Sequence, residues 1–189
     1  MQKIDFQKFL FAVQGALGEF PTRQKLGFEF LVDSLQADTD MVDLRWAAYT
    51  LATTYHETSG TMQPIEEYGK GGGKVYGAVD LQTGQRYYGR GLTQLTWKAN
   101  YERFKMILGK DLVNHPELAL EPETAYEIMS IGMRRGFFTG VGLGHYFNND
   151  KNDPVNARRI INGVDCAEKI AGYHAIFLKA LDDSLEVTT

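Results

Sequence analysis

Cysteine is nearly missing from this chain: Cys166 is the only one in 189 residues, so no intramolecular disulfide can form and the fold must hold by its core. Cys166 lies in a segment patterned as helix and reads as a small buried apolar residue, not a reactive thiol. Long apolar runs are missing too. Asp5, Gln7, Lys8 and Gln14 interrupt residues 1–18, leaving an unbroken apolar run only at 9–13, unlike a signal peptide. No stretch reaches the length that spans a bilayer. The expectation is a chain made in the cytoplasm, without stable membrane insertion, that needs another route for any export. There is no excess of positive charge either. The formal net charge is −4, which disfavours nucleic acid as a partner. The basic pairs Arg134-Arg135 and Arg158-Arg159 read as solvated helix faces. Finally, His56, His115, His145 and His174 show no ligand spacing, so neither metal nor cofactor is expected.

What is present is ordinary globular material, 43% hydrophobic and 23% charged, with neither repeats nor a low-complexity linker. Residues 1–189 therefore read as one domain, mainly helical, acting as a monomer. Asp5 caps a predicted helix carrying Phe6, Phe9, Leu10, Val13 and Leu17 and ending near Gly18. Pro21-Thr22 opens a second with Leu26, Phe30, Leu31 and Leu35 inward. Asp40 and Asp43 start a third that runs toward Thr58. Later helices are predicted from Thr96 to Gly109, with Trp97, Tyr101, Phe104 and Leu108 on one side, and from Pro122 to about Phe138. Two more are predicted, over residues 155–162 and from a cap at Asp165 and Glu168 onward.

The third helix differs from the others. Leu44, Ala48, Leu51 and Tyr55 form one stripe; Trp46, Thr50, Thr53 and Glu57 align on the other side. Residues 47–56 contain no Asp, Glu, Lys or Arg, so both faces of this helix are expected to be enclosed. Glu57 then projects from an enclosed helix end, an unusual place for a carboxylate without a task. Residues 59–92 are rich in glycine and tyrosine and read as a loop lobe over one side of a groove. Val75-Tyr76 and Arg86-Tyr87-Tyr88 pair there as a short hairpin.

Three apparent motifs fail. Gly69-Lys70-Gly71-Gly72-Gly73-Lys74 is one residue short of a phosphate loop and has Val75 where Ser or Thr must meet magnesium. Gly89-Arg90-Gly91 lacks the third glycine of a dinucleotide site, and Gly60 replaces the second histidine of a His56-Glu57 zinc motif. What remains is Glu57 with Glu66 and Glu67, nine and ten residues on. Inverting glycoside hydrolysis needs a protonated carboxyl facing an ionised one, roughly 6.5–9.5 Å apart, with a water between. Enclosure by Trp46 would keep Glu57 protonated, while Glu66 in a hydrated loop would stay ionised. Solvated loop charges are the competing reading.

The string Tyr55-His56-Glu57-Thr58-Ser59-Gly60, then Arg86-Tyr87-Tyr88-Gly89-Arg90-Gly91-Leu92-Thr93-Gln94-Leu95-Thr96, then Ile160-Ile161-Asn162-Gly163, resembles glycoside hydrolase family 19. That family contains chitinases and phage and bacterial endolysins, and the similarity runs over about residues 44–180. The resemblance implies a lysozyme-like α+β fold, a helical domain with a small loop and hairpin lobe flanking a substrate cleft. It implies Glu57 as proton donor, Glu66 as base and Thr96 as holder of the attacking water. It places Gln94, Asn100 and Asn162 on the sugar, with Tyr88 and Arg90 among the substrate-binding residues. Glu66 is preferred over Glu67 on spacing alone. Each position has a plainer reading: Thr96 as a helix cap, Asn162-Gly163 as a helix end, Gln94 and Asn100 as loop braces, Tyr88 as core and Arg90 as a tether to a carboxylate, Glu57 included.

Plant members of the family are disulfide-rich and secreted, whereas one cysteine and no leader resemble the endolysin branch. The expected substrate is therefore bacterial peptidoglycan, cut at β-1,4 bonds between N-acetyl sugars after release to the wall during phage lysis. Chitin is the nearest alternative substrate. A lytic transglycosylase and a non-catalytic wall-binding module are the others.

Overall fold

The computed structural model describes residues 2–186. Two compact units divide the chain: one holds the residues up to Met62 and those from Met133 on, the other is Gln63–Gly132.

The first unit is helical, and its sequence signals act locally much as expected. In α1 (Phe6–Leu17) the Asp5 carboxylate accepts from the backbone N–H of Gln7 and Lys8, and Gly18 ends the helix at φ +92°. Phe9, Leu10 and Val13 face inward. In α2 (Thr22–Ala37) the inward face is Phe28, Leu31, Val32 and Leu35, while Leu26 is exposed. The helix is turned one position from the expected stripe, because apolar residues at 26, 28, 30, 31, 32 and 35 leave its phase open. Asp43 alone caps α3 (Leu44–Glu57); Asp40 instead accepts from Arg134. Every residue from Ala47 to Thr54 in α3 is buried, the two-sided enclosure its uncharged sequence predicts.

Those buried faces meet α7 (Ala167–Asp183), which packs most extensively on α3 and next on α1. Phe177 of α7 lies against Phe9, Phe28 and Tyr55, joining four elements in one aromatic cluster. A second cluster stacks His174 on Phe147 and tilts it against Tyr49. The short α6 (Leu143–Tyr146) packs on the 3-10 turn Asn156–Ile160, which replaces the α-helix expected at 155–162. Asp165 does not cap α7. Its N-cap is Cys166, in the left-handed region at φ +57° with no side-chain bond, and that cysteine is exposed, not buried. An αL start puts the thiol outside the helix's packed face, where periodicity would not place it.

The second unit contains the sheet. Strands β1 (Ile65–Glu66) and β2 (Arg90–Gly91) pair antiparallel, Ile65 opposite Gly91 and Glu66 opposite Arg90. The expected hairpin is absent: Val75–Gly77 is a 3-10 turn with Val75 exposed. The reason is contact between glycines, since a Cβ on Gly77 would stand 2.0 Å from the Gly71 carbonyl oxygen. The loop closes on its own backbone instead of on a neighbouring strand. Helix α4 (Lys98–Leu108) ends at Gly109 in αL and buries Tyr101 and Phe104. Trp97 is half exposed. Thr96 is no cap, because its hydroxyl donates to the Gln94 carbonyl. The 3-10 turn Pro116–Leu120 backs β2, and α5 (Pro122–Arg135) follows. Among the described residues no helix is long and apolar enough to cross a membrane.

Two outcomes follow for stability. Burial pushes His174 down to about 4 from an ordinary 6.5. The unfolded chain therefore takes up a proton that the native state refuses, and stability falls as pH drops from 6.5 to about 4, by roughly 3 kcal/mol at the lower end. Denaturant midpoints across this window should flatten in His174→Phe relative to wild type; parallel curves would contradict it. Gly77→Ala should cost on the order of 1–3 kcal/mol of unfolding free energy through overpacking, read as a lowered thermal midpoint.

Candidate active site

Glu57 ends α3 with its side chain 15% exposed. Its nearest polar neighbour is a guanidinium and not Trp46, whose indole N–H is committed to the Phe147 carbonyl. Nη1 of Arg158 donates to Oε1 of Glu57 at 2.5 Å, and Nε of Arg158 donates to the Asp165 carbonyl at 3.1 Å. Only 5% of the Arg158 side chain is exposed, so it is no solvated helix face; a buried guanidinium requires such partners. Sequence reasoning missed it. The available signal was that an uncharged helix ending in a carboxylate needs a cation from elsewhere, and Arg158 stands just before the Ile-Asn-Gly motif. Among the described residues Oε2 of Glu57 has no hydrogen-bond partner. His56 beside it is held below its ordinary value by burial. Asn162 belongs to the same unit and is exposed, its Oδ1 accepting from the Gly163 N–H at 2.9 Å.

The second unit gathers the other candidates. Glu66 on β1 accepts from the Tyr88 hydroxyl at 2.5 Å through Oε1 and pairs with Lys70 at 2.8 Å through Oε2. Lys70, then Tyr88, hold its carboxyl below the usual carboxylate range, so it stays ionised. Glu67 takes a different set: the Tyr76 hydroxyl at 2.7 Å and the Gly89 backbone N–H at 3.0 Å. It clips the 3-10 turn to the residue preceding β2. Arg90 is buried and, among the described residues, tethers no carboxylate by hydrogen bond. Its Nη1 donates to the Arg86 carbonyl and the Tyr101 hydroxyl, and its guanidinium lies 3.7 Å from the Tyr88 ring centroid. Arg90 thus fixes the tyrosine that fixes Glu66.

Gln94 and Thr96 lie in one strained loop, and Asn100 follows in the first turn of α4. Gln94 (φ +55°) and Trp97 (φ +73°) hold left-handed backbone that non-glycine residues rarely adopt. Gln94 Nε2 donates to the Ile65 carbonyl, and Asn100 Nδ2 donates to the Thr96 carbonyl at 2.8 Å. The bracing role anticipated for both amides is therefore present. Among the described residues no cluster of three or more His, Cys, Asp or Glu gathers as for a metal.

Comparison with known proteins defines the class. The sequence model of glycoside hydrolase family 19, described as chitinase class I, matches residues 32–129, just over half of the chain. This chain belongs to that family. An acidic endochitinase of Petunia hybrida is 37% identical over 78 residues, covering 41% of this chain and 30% of the relative. A protein of Hevea brasiliensis described as an inactive chitinase-like protein is 51% identical over 41 residues, 22% of this chain and 13% of its own length. The chain thus matches less than a third of the length of these curated relatives. Among solved structures, chitinase C of Streptomyces griseus shares the fold, with TM-score 0.63 at 22% identity over 97% of this chain and 80% of that one.

Replacing Lys70 by Met should raise the pH at which Glu66 takes up its proton, because the strongest influence favouring the carboxylate is gone. Tyr88→Phe should move it the same way by less. Side-chain carboxyl NMR titration reads this directly, and an unmoved midpoint in both variants would remove the electrostatic account of Glu66.

Proposed function

We propose that this chain is an inverting glycoside hydrolase that cuts β-1,4 bonds between N-acetyl sugars of bacterial peptidoglycan. Glu57 is its general acid and Glu66 its general base. The observation that carries this reading is the contrast between the two carboxyls: one oxygen of Glu57 is unengaged at the end of a buried helix, while Glu66 is held ionised by Lys70 and Tyr88. An acid needs an oxygen free to carry and deliver its proton, and a base needs its charge. Thr96 holds that water, and Gln94, Asn100, Asn162, Tyr88 and Arg90 shape or line the sugar site. A lone unpaired cysteine suits a lysin made in a reducing host cytoplasm and acting on the wall after release, as a monomer.

A second reading, chitin as substrate, is favoured by the printed descriptions of the relatives as chitinases. Because one similar protein is described as inactive, activity itself must be measured. Purified protein should clear outer-membrane-permeabilised cells and release no soluble chito-oligosaccharides from chitin; the reverse pattern selects chitin. Mass spectrometry should find reducing-end products, whereas anhydro-sugars would indicate a lytic transglycosylase. Glu57→Gln should abolish nearly all turnover, and Glu66→Gln should cost about a hundredfold or more. Near-normal Glu66→Gln beside dead Glu67→Gln would reassign the base.

A further inference from the structure

Lys70 is a lysine where the backbone favours glycine. Its φ of +50° lies between Gly69 at +78° and Gly71 at +67°, and the chain places glycine at 69, 71, 72 and 73 around it. Left-handed backbone costs a residue with a Cβ and costs glycine nothing. The contact that Lys70 gains in return is a weak one. Its Nζ pairs with Oε2 of Glu66 at 2.8 Å, but the side chain is 58% exposed, and ion pairs in water stabilise little. Stability therefore does not account for a lysine here. The backbone beneath it is fixed. The Lys70 N–H donates to the Glu67 carbonyl at 3.0 Å, and Glu67 is itself clipped by the Tyr76 hydroxyl and the Gly89 N–H. A Cβ on Gly71 would stand 2.7 Å from the Gly77 Cα and 3.1 Å from the Tyr88 Cβ, so the next residue is wedged against its neighbours. A rigid loop thus holds a mobile ammonium on the carboxylate read as the base. Lys74, four residues on, adds a second exposed ammonium to the same loop.

We propose that Lys70 reads the acidic arm of the substrate: a carboxylate on that arm draws the ammonium off Glu66 and frees Oε2 of Glu66 to take the water. This rests on the reading of the substrate as peptidoglycan and of Glu66 as base. Every second sugar of that polymer carries a lactyl arm ending in a carboxylate or in a peptide that bears carboxylates, whereas chitin has no charged arm. Exchanging one carboxylate partner for another conserves the ion pair, so an acidic substrate displaces Lys70 at little cost. A neutral glycan offers no replacement partner and must strip the ammonium into water. Tyr88 keeps hold of Oε1 throughout, so the carboxyl stays oriented while its other oxygen opens. Lys70 is also the strongest influence holding this carboxyl below its ordinary range, and its departure makes Glu66 a stronger base when water arrives. Recognition and activation are then one movement of one side chain. Discrimination against chitin follows from the charge that chitin lacks.

The test measures kcat/KM on peptidoglycan strands bearing their peptides and on strands denuded by an amidase, which keep the lactyl carboxylate. Each is compared with its twin whose carboxyls have been converted to amides by carbodiimide and ammonia. Wild type should cut the acidic form of at least one strand about fivefold better than its amidated twin. A preference seen on denuded strands supports the proposal with the lactyl carboxylate as the contact; one confined to peptide-bearing strands supports it with the peptide. Lys70→Met should lose the preference by falling on the acidic strand while matching or exceeding wild type on the amidated one. A merely structural defect would lower both. Lys70→Arg should keep the preference. Lys70→Gly suits the left-handed backbone, should hold or raise the thermal midpoint, and decides alone should the methionine variant fold poorly. Equal rates of wild type on acidic and amidated strands, or a preference that survives in Lys70→Met and Lys70→Gly, would overturn the proposal. If wild type cuts no strand of either form, the peptidoglycan reading fails and the role of Lys70 falls with it; if it cuts both forms equally, only the role of Lys70 fails.

Discussion

A carboxylate at the end of a buried, uncharged helix must be met by a cation, and the buried pair between Glu57 and Arg158 is where the first unit meets this demand. Enclosing α3 over Ala47–Thr54 leaves Glu57 at the edge of dry protein, its side chain only 15% exposed. The cation has to be equally dry, because a hydrated one would bring water back. Removing one member of such a pair typically costs about 3–5 kcal/mol, since the other charge is left stranded. This explains why the guanidinium is secured to a carbonyl as well as to the carboxylate. The 3-10 turn Asn156–Ile160 supplies it.

The second unit solves a different problem, holding a carboxylate ionised on a two-residue strand in a loop-rich region. Its rigidity comes from aromatic hydroxyls arranged around another buried guanidinium. Arg90 donates to Tyr101, Tyr101 donates to the Tyr88 carbonyl, and the Tyr88 ring lies under Arg90 while its hydroxyl reaches Glu66. Burial pushes Tyr101 up to about 12, so it remains a neutral donor at any working pH. The buried guanidinium and Tyr101 together fix Tyr88, whose hydroxyl donates to Glu66, and Lys70 adds its charge from the surface side. Arginine thus serves opposite ends in the two units, gripping the carboxylate itself in one and bracing the tyrosine that grips it in the other.

How far this could be read from the sequence depended on whether a feature is set locally. Asp5 and Gly18 bound α1 as expected, and the missing charges of α3 announced its burial, because capping and desolvation act within a few residues. The inward face of α2 was ambiguous, since apolar residues crowd several phases of its period and packing against Phe9, Phe20, Tyr55 and Phe177 selects Phe28. Strands of two residues carry no periodicity to detect, so β1 and β2 were invisible while the more regular tyrosine pairs suggested a hairpin. Glu57, Glu66 and the loop at 94–100 were legible through a family motif. Arg158 was not, because a pair of arginines in isolation looks like surface and its partner lies 101 residues away.

The choice between the adjacent glutamates of β1 and its border shows what geometry adds to spacing. Both carboxyls have their two oxygens engaged, so hydrogen-bond number does not separate them. The kind of donor does. Glu67 is bound by a backbone N–H and by Tyr76, contacts that cannot be withdrawn without unfolding the turn they close. One of the Glu66 contacts is the ammonium of Lys70, on a side chain 58% exposed and free to swing into water. Exposed ion pairs of this kind are worth at most about 1 kcal/mol, little enough for an incoming water to displace. A base must keep its charge and still surrender a lone pair to the water it activates. Glu66 can release one oxygen while Tyr88 keeps hold of the other, whereas Glu67 would have to give up its place in the backbone.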